Sequence, residues 1–518
     1  MLVSKKISIM NRILKEKFKI MVAGFCATLI LFSSSCQLEE EIFSEIVSDG
    51  FGTTDEELSA VVAAAYASYG GFIGAPWTVN IISSDAGIVP TRGTDWAERG
   101  QWARLHEHDF SPDDFYAGSS WSALFTGINN VNRIIFQLEQ IEGDGPIQTI
   151  KELRVLRALN YYMLMDIYGN LPIVSSFADA EANPATNTRA EVFEFVTSEV
   201  EAVINDMPED KNTTYGVINK WVAHALLAKV YLNAEVFSGT AQWDKVILHT
   251  DAIINSGNYT LAPDFFDNFS AFNEGSPENI FVIVYDEVFA GGNQIAVRTL
   301  HYASQQTYRF TAQPWNGYAS LQEFYNMFTD DDVRKGSFIV GQQYDPEGNE
   351  ILDLQAEAAD PNGQPLYFTP EITDVRNALR QEGVRIGKFE FEMGAQPQNM
   401  NNDFPLFRYG DILLTKAEAL LKTGDEGGAL ILVNMIRQRA GVPDLTALSV
   451  DDLLDERGRE TAFEGYRRQD LIRFGRFNDA WQFKPADPSD HVNLFPISSD
   501  QLGANPNLKQ NPGYVGGE

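Results

Sequence analysis

The feature that most constrains this chain is a run of helical periodicity near its C-terminal end, from Phe404 to Gly475, which reads as three or four successive helices. Within it Leu406, Tyr409, Leu413, Ala417 and Leu420 recur at spacings of three and four, placing them on one helical face. Thr423-Gly424-Asp425 supplies a stop and a start, because glycine suits the left-handed position after a helix and aspartate suits an N-cap. A second helix buries Ala429, Leu432, Val433 and Ile436 and is closed by Gly441 and Pro443. Residues 406–440 therefore read as a helical hairpin with a period close to the roughly 34 residues of a tetratricopeptide unit.

The same helices are dense in charge: Arg408, Asp411, Glu418, Arg437, Arg439, Glu456, Arg459, Glu460, Glu464, Arg467, Arg468, Asp470 and Arg473. Their number and their alternation in sign fit ion pairs between helices and solvated faces rather than a catalytic set.

The order Arg408-Tyr409-x-Asp411-Ile412-Leu413-Leu414, Ala417-Glu418-Ala419, Asn434-x-x-Arg437-x-Arg439-Ala440-Gly441, Glu456-Arg457 and Ala462-Phe463-Glu464-Gly465-x-Arg467 resembles the SusD/RagB family. The terminal run Asn505-Pro506-Asn507-Leu508-Lys509-Gln510-Asn511-Pro512-Gly513-Tyr514 resembles that family as well. The resemblance implies a mainly α fold, in which degenerate tetratricopeptide hairpins form a scaffold and a long loop-rich insertion carries short strands. It further implies an outer-membrane lipoprotein of Bacteroidetes that captures nutrients, mostly glycans. Two departures stand out, Gly458 in place of a charged residue and Gln469 where Trp is frequent. A glycine inside a helix costs about 1 kcal/mol relative to alanine, so Gly458 is expected to mark a local break.

A chain of 518 residues exceeds what one core usually supports, unless repeats stack side by side. The expected divisions are 1–35, a signal peptide; 36–50, a lipidated tether; 51–256, an N-terminal helical region with a binding loop at 72–119; 257–403, a loop-rich insertion; and 404–518, a C-terminal helical region. The net charge of −33 argues against nucleic acid as a partner and against strongly anionic glycans.

The N-terminus sets the expected compartment. Lys5, Lys6, Arg12, Lys15, Lys17 and Lys19 precede an apolar run from Ile20 to Phe32, too short to span a bilayer and suited to a signal-peptide core. Ser33-Ser34-Ser35-Cys36 follows and resembles a lipoprotein cleavage site, which assigns lipidation to Cys36. Bulky Phe25 makes Cys26 the poorer candidate. A lipid on a folded acidic body anchors it to a membrane without spanning it. The run Gln37-Leu38-Glu39-Glu40-Glu41 resembles the surface-export signal of Bacteroidetes lipoproteins, and so points to the cell surface.

In chain order, Asp55-Glu56-Glu57 opens a helix that Gly70-Gly71 ends, and helical periodicity then disappears from Phe72 to Ser119. Helices are expected from Ser120 to about Ile141, from about Gln148 to Tyr168, from the Thr188 cap to before Pro208, from Asn219, and from Gln242 to Asn255. Stacked hairpins of this kind make a rigid wall. The insertion contains a short apolar strand within 276–285, loop and extended structure over 291–311, and polar loops at 343–363 and 396–403. Loops on a rigid scaffold are where binding surfaces usually sit.

Catalytic motifs are missing from the sequence: GxGxxG, the P-loop, GxSxG and HExxH do not occur. His106-x-His108 offers two metal ligands without a third, and Asp330-Asp331-Asp332 reads as a helix cap. No cofactor is called for, and a structural calcium is left open. The informative stretch is 84–96, SDAGIVPTRGTDW, where aromatic, acidic and basic side chains share one loop. Sugar rings offer apolar C–H faces that stack on aromatic rings and hydroxyls that need polar partners. A second aromatic group, Trp315-Asn316-Gly317-Tyr318, lies in the insertion. The resemblance implies ligand-binding roles for Asp85, Arg92, Trp96, Trp315 and Tyr318, and Trp102 joins them by its place in the loop; Trp121 and Trp221 read as core. The expectation is a non-enzymatic surface lipoprotein that captures oligosaccharide or polysaccharide and passes it to a SusC-like TonB-dependent outer-membrane transporter. A RagB-like peptide binder and a glycan hydrolase are the alternatives.

Overall fold

The computed structural model describes residues 54–141, 145–288, 290–354 and 363–517. The expected signal peptide, the tether and Cys36 lie outside the described residues. The first described helix, Asp55–Tyr66, is capped by Thr54, whose hydroxyl accepts from the Glu57 amide while the Glu57 carboxylate accepts from the Thr54 amide. Thr188 and Glu191 repeat this arrangement at the start of Arg189–Glu201, and Asn219 and Asp425 cap Lys220–Leu232 and Glu426–Arg439.

Long helices pack as neighbours in sequence. Phe115–Leu138 lies against Gly145–Tyr168, which packs on Arg189–Glu201, and Lys220–Leu232 pairs with Trp243–Ser256. Trp243–Ser256 then packs on Tyr409–Lys422, which pairs with Glu426–Arg439. The stack thus joins chain segments 150 and more residues apart, and Gly52–Glu518 forms one compact unit. Trp121 and Trp221 are buried within it.

Three expectations change. Leu406 is not the first residue of a helical face: Phe404–Arg408 is a strand, antiparallel to Asn279–Ile283, and both strands are buried throughout. Gly70-Gly71 does not end helical structure, because a 3-10 turn at Ala67–Gly71, a π turn at Ile73–Trp77 and a short helix at Thr78–Ile82 continue it. Gly458 does not break its helix, which runs unbroken from Val450 to Glu460. A Cβ on Gly458 would lie 2.7 Å from Nη1 of Arg467, so the glycine admits a guanidinium against the helix.

The charges of the C-terminal helices are turned inward. Arg408 Nε donates to Glu464 at 2.7 Å, and its Nη1 donates to Glu460 at 2.6 Å and Glu278 at 3.2 Å. Arg334 reaches Asp332 and Glu456, Arg457 reaches Asp411 and Asp470, and Arg473 reaches Glu418. Burial lowers the Arg408 pKa, but Glu464, Glu460 and Glu278 outweigh it and hold the group well above its ordinary value. Gln469 sits inside the fold, accepting from the Tyr162 hydroxyl and the Asn233 amide.

Candidate functional site

Two distant loops are laid side by side. Ile88 and Ala319 exchange backbone hydrogen bonds at 2.8 and 2.9 Å, and the Ser320 hydroxyl donates to the Ala86 carbonyl. The Thr91 amide donates to the Val375 carbonyl, and the Ala378 amide returns a bond to the Thr91 carbonyl. Arg92 clamps this junction from within. Its guanidinium donates to the carbonyls of Asn316 (3.2 Å), Gly317 (2.9 Å) and Glu382 (2.7 Å). Burial without a bonded carboxylate lowers its pKa to about 10.

The clamp brings Trp96 onto Trp315. The Trp96 indole Nε1 donates to the Trp315 carbonyl at 2.8 Å, and the two rings lie 6.4 Å apart at 49°. Trp96 packs against Gly317, where a Cβ would come within 2.4 Å of the ring. Trp96 and Asn316 both have positive φ, 58° and 53°, a conformation non-glycine residues adopt at a cost. Trp315 is 38% exposed, with the Arg298 guanidinium 5.7 Å from its ring. Beside them the Tyr302 hydroxyl donates to the exposed Asp95 carboxylate. Burial first, and then Asp95, raises the Tyr302 pKa, so the phenol stays protonated. The open surface is therefore Trp96 and Trp315 with Asp95 and Tyr302 at their side.

Four expected ligand-binding residues are placed otherwise. Tyr318 is fully buried, stacked on Trp77 at 5.9 Å and bonded to the Thr78 hydroxyl. Arg92 is buried and its two Nη groups donate to backbone carbonyls, so it positions the loops instead of meeting solvent. Trp102 is buried edge-on behind Trp96, its indole donating to Glu98 at 2.7 Å. Asp85 accepts both its bonds from Arg467 at 2.7 Å and ties the loop to the C-terminal helices. Tyr302 was missed because nothing near it in sequence signals Asp95, 207 residues away.

The histidine pair is likewise internal. His106 meets the carbonyls of Ile82 and Gln482, and His108 meets Asp487 and the Ser83 carbonyl, so all four ring nitrogens are engaged. Asp332 caps the turn Val333–Ser337 by accepting from the Arg334 amide. Among the described residues no group of three or more His, Cys, Asp or Glu could hold a metal ion.

The sequence model of the SusD family matches residues 237–514, more than half of the chain, and a second family, described as starch-binding and associating with the outer membrane, matches 83–232. The starch-binding protein SusD of Bacteroides thetaiotaomicron is 26% identical over 81% of this chain and 82% of its own length. A SusD-like protein of Bacteroides ovatus is 23% identical over 90% of this chain and 86% of its own. Among solved structures, surface glycan-binding protein A of Bacteroides thetaiotaomicron in complex with laminarihexaose superposes with a TM-score of 0.70 at 21% identity, over 88% of this chain and 99% of that one. A laminarin-binding SusD-like protein gives 0.68 at 20%, over 89% and 100%.

Proposed function

The chain belongs to the SusD family, and on that premise we propose that it is a cell-surface glycan-binding protein that captures oligosaccharide or polysaccharide without cleaving it. One observation carries the reading: Trp96 and Trp315, from loops over 200 residues apart, are fixed as a tilted pair on the surface beside Asp95 and Tyr302. Indole faces stack on the C–H faces of sugar rings, and the carboxylate and phenol at their side meet hydroxyls. Each stacking contact is modest by itself, so the two rings and the polar groups beside them must act together.

Family membership and the leader of the sequence support the wider role. Lipid on Cys36 tethers the protein to the outer membrane, and the captured glycan passes to a SusC-like TonB-dependent transporter. The names of two solved relatives put laminarin first among ligands to test, with starch beside it. Calorimetric titration of the protein against these glycans, with Trp315→Ala, is the test. The variant is expected to bind about tenfold more weakly while remaining folded, since Trp315 is partly exposed. Release of reducing ends, or glycan binding untouched by the variant, would overturn the reading.

A further inference from the structure

A cavity of about 830 Å³ that includes neither Trp96 nor Trp315 lies between the first described helix and the buried two-stranded sheet. Leu58, Val62 and Tyr66 line one side, and Phe281, Val282, Ile283 and Val284 line the other. Successive side chains of a strand point to opposite faces, so a cavity bordered by four consecutive residues runs along the strand's edge. The strand Asn279–Ile283 pairs with Phe404–Arg408 in a sheet of two strands, which leaves this edge without a strand neighbour among the described residues.

Polar groups converge on the same space. Tyr69 is 5% exposed, yet among the described residues its hydroxyl has no hydrogen-bond partner, and the amide nitrogen of Gln148 has none there either. Buried donors left unpaired are costly, and a ligand's acceptors remove that cost. Glu152 accepts from the Tyr66 hydroxyl at 2.7 Å, and burial raises its pKa to about 7 despite that bond.

We propose that this cavity is a docking groove for an extended apolar segment of a partner polypeptide, which adds to the free edge of Asn279–Ile283 as a third strand. Alternate side chains of the segment enter the space beside Leu58, Val62 and Phe281, and its carbonyls accept from Tyr69 and Gln148. A polypeptide is the occupant that meets both features. A glycan would leave hydroxyls unpaired against the apolar walls, and an acyl chain would leave the strand edge unpaired. The proposal goes beyond glycan capture.

The test uses the full chain and an acetylated, fluorescein-labelled hexapeptide of alternating valine and threonine, followed by fluorescence anisotropy and by amide exchange over 279–284. Saturable binding with slowed exchange at those amides is expected. Ala63→Trp, which sets an indole at an exposed lining position, is expected to weaken binding by about tenfold or more, and Tyr69→Phe by roughly three- to tenfold. Laminarin titration of Ala63→Trp separates the two sites, since that ligand is expected to be unaffected. Absence of peptide binding, binding indifferent to Ala63→Trp, or unchanged exchange at 279–284 overturns the proposal, as does displacement of the peptide by a fatty acid at equal concentration.

Discussion

The C-terminal helices and the tryptophan loops bury the same cation in opposite ways. Arg408 lies among Glu278, Glu460 and Glu464, and its pKa is driven up. Arg92 and Arg385 lie among carbonyls, Arg385 donating to those of Arg380, Glu382 and Gly383, and burial drives both pKa values down. A guanidinium among carboxylates locks helices whose own backbones are already satisfied. One among carbonyls supplies donors that irregular backbone would otherwise lack, and so gives a loop its shape. The first arrangement holds a scaffold together, and the second holds strained residues such as Trp96 and Asn316 in place.

The contrast breaks most plainly at Arg408. Arg408→Met leaves three buried carboxylates each short of one partner, and removing one member of a buried ion cluster costs about 3–5 kcal/mol. Urea unfolding should show that loss, while the fraction still folded binds glycan with its original affinity. A loss under about 1 kcal/mol would mean that packing alone locks these helices.

Gly317→Ala probes the other region. Its φ is not in the left-handed region, so the alanine meets no backbone strain, only the Trp96 ring at 2.4 Å. Overpacking of this kind costs about 1–3 kcal/mol. Glycan affinity should fall by at least about tenfold as Trp96 is lifted from its seat, with a shift in tryptophan fluorescence. Undiminished affinity would remove Trp96 from the binding surface.

The same contrast explains what was legible in the sequence. Caps are local chemistry, and Thr188, Asn219 and Asp425 announced their helices. Leu406 was misleading because the strand it belongs to exists only by pairing with Asn279–Ile283, more than 100 residues upstream. Gly458 looked like a break because the guanidinium it admits, that of Arg467, cannot be seen from composition. At the site, residue type pointed to Trp96 and Trp315, but type says nothing of direction. Tyr318 and Trp102 carry the same rings and face inward, and Asp85 is consumed by an arginine 382 positions away.

Mild acid should separate the two regions with the smallest effect of the three. Burial lowers the His108 pKa to about 4 even though Asp487 opposes the shift, whereas in the unfolded chain the group titrates near 6.5. The unfolded state therefore takes up a proton that the folded state refuses, and stability falls as pH drops from about 6.5 toward 4. Glu456, Glu460 and Asp470 of the C-terminal cluster are instead depressed, since their arginines overcome the effect of burial. Their contribution is fully present above the ordinary carboxylate range and is lost only below it. His106, His224, His249 and His301 are also lowered by burial and add to the slope, so the informative quantity is a difference between proteins. His108→Gln should reduce the stability lost between pH 6.5 and 5.5 by about 1 kcal/mol, read from urea unfolding at the two pH values. His108 binds the Ser83 carbonyl on one side and Asp487 on the other, so its protonation acts at the foot of the 84–96 loop. Amide protection should accordingly decline over 83–108 before it declines over 409–473. The reverse order would place the acid-sensitive contact in the ion cluster and undo the distinction between the two regions.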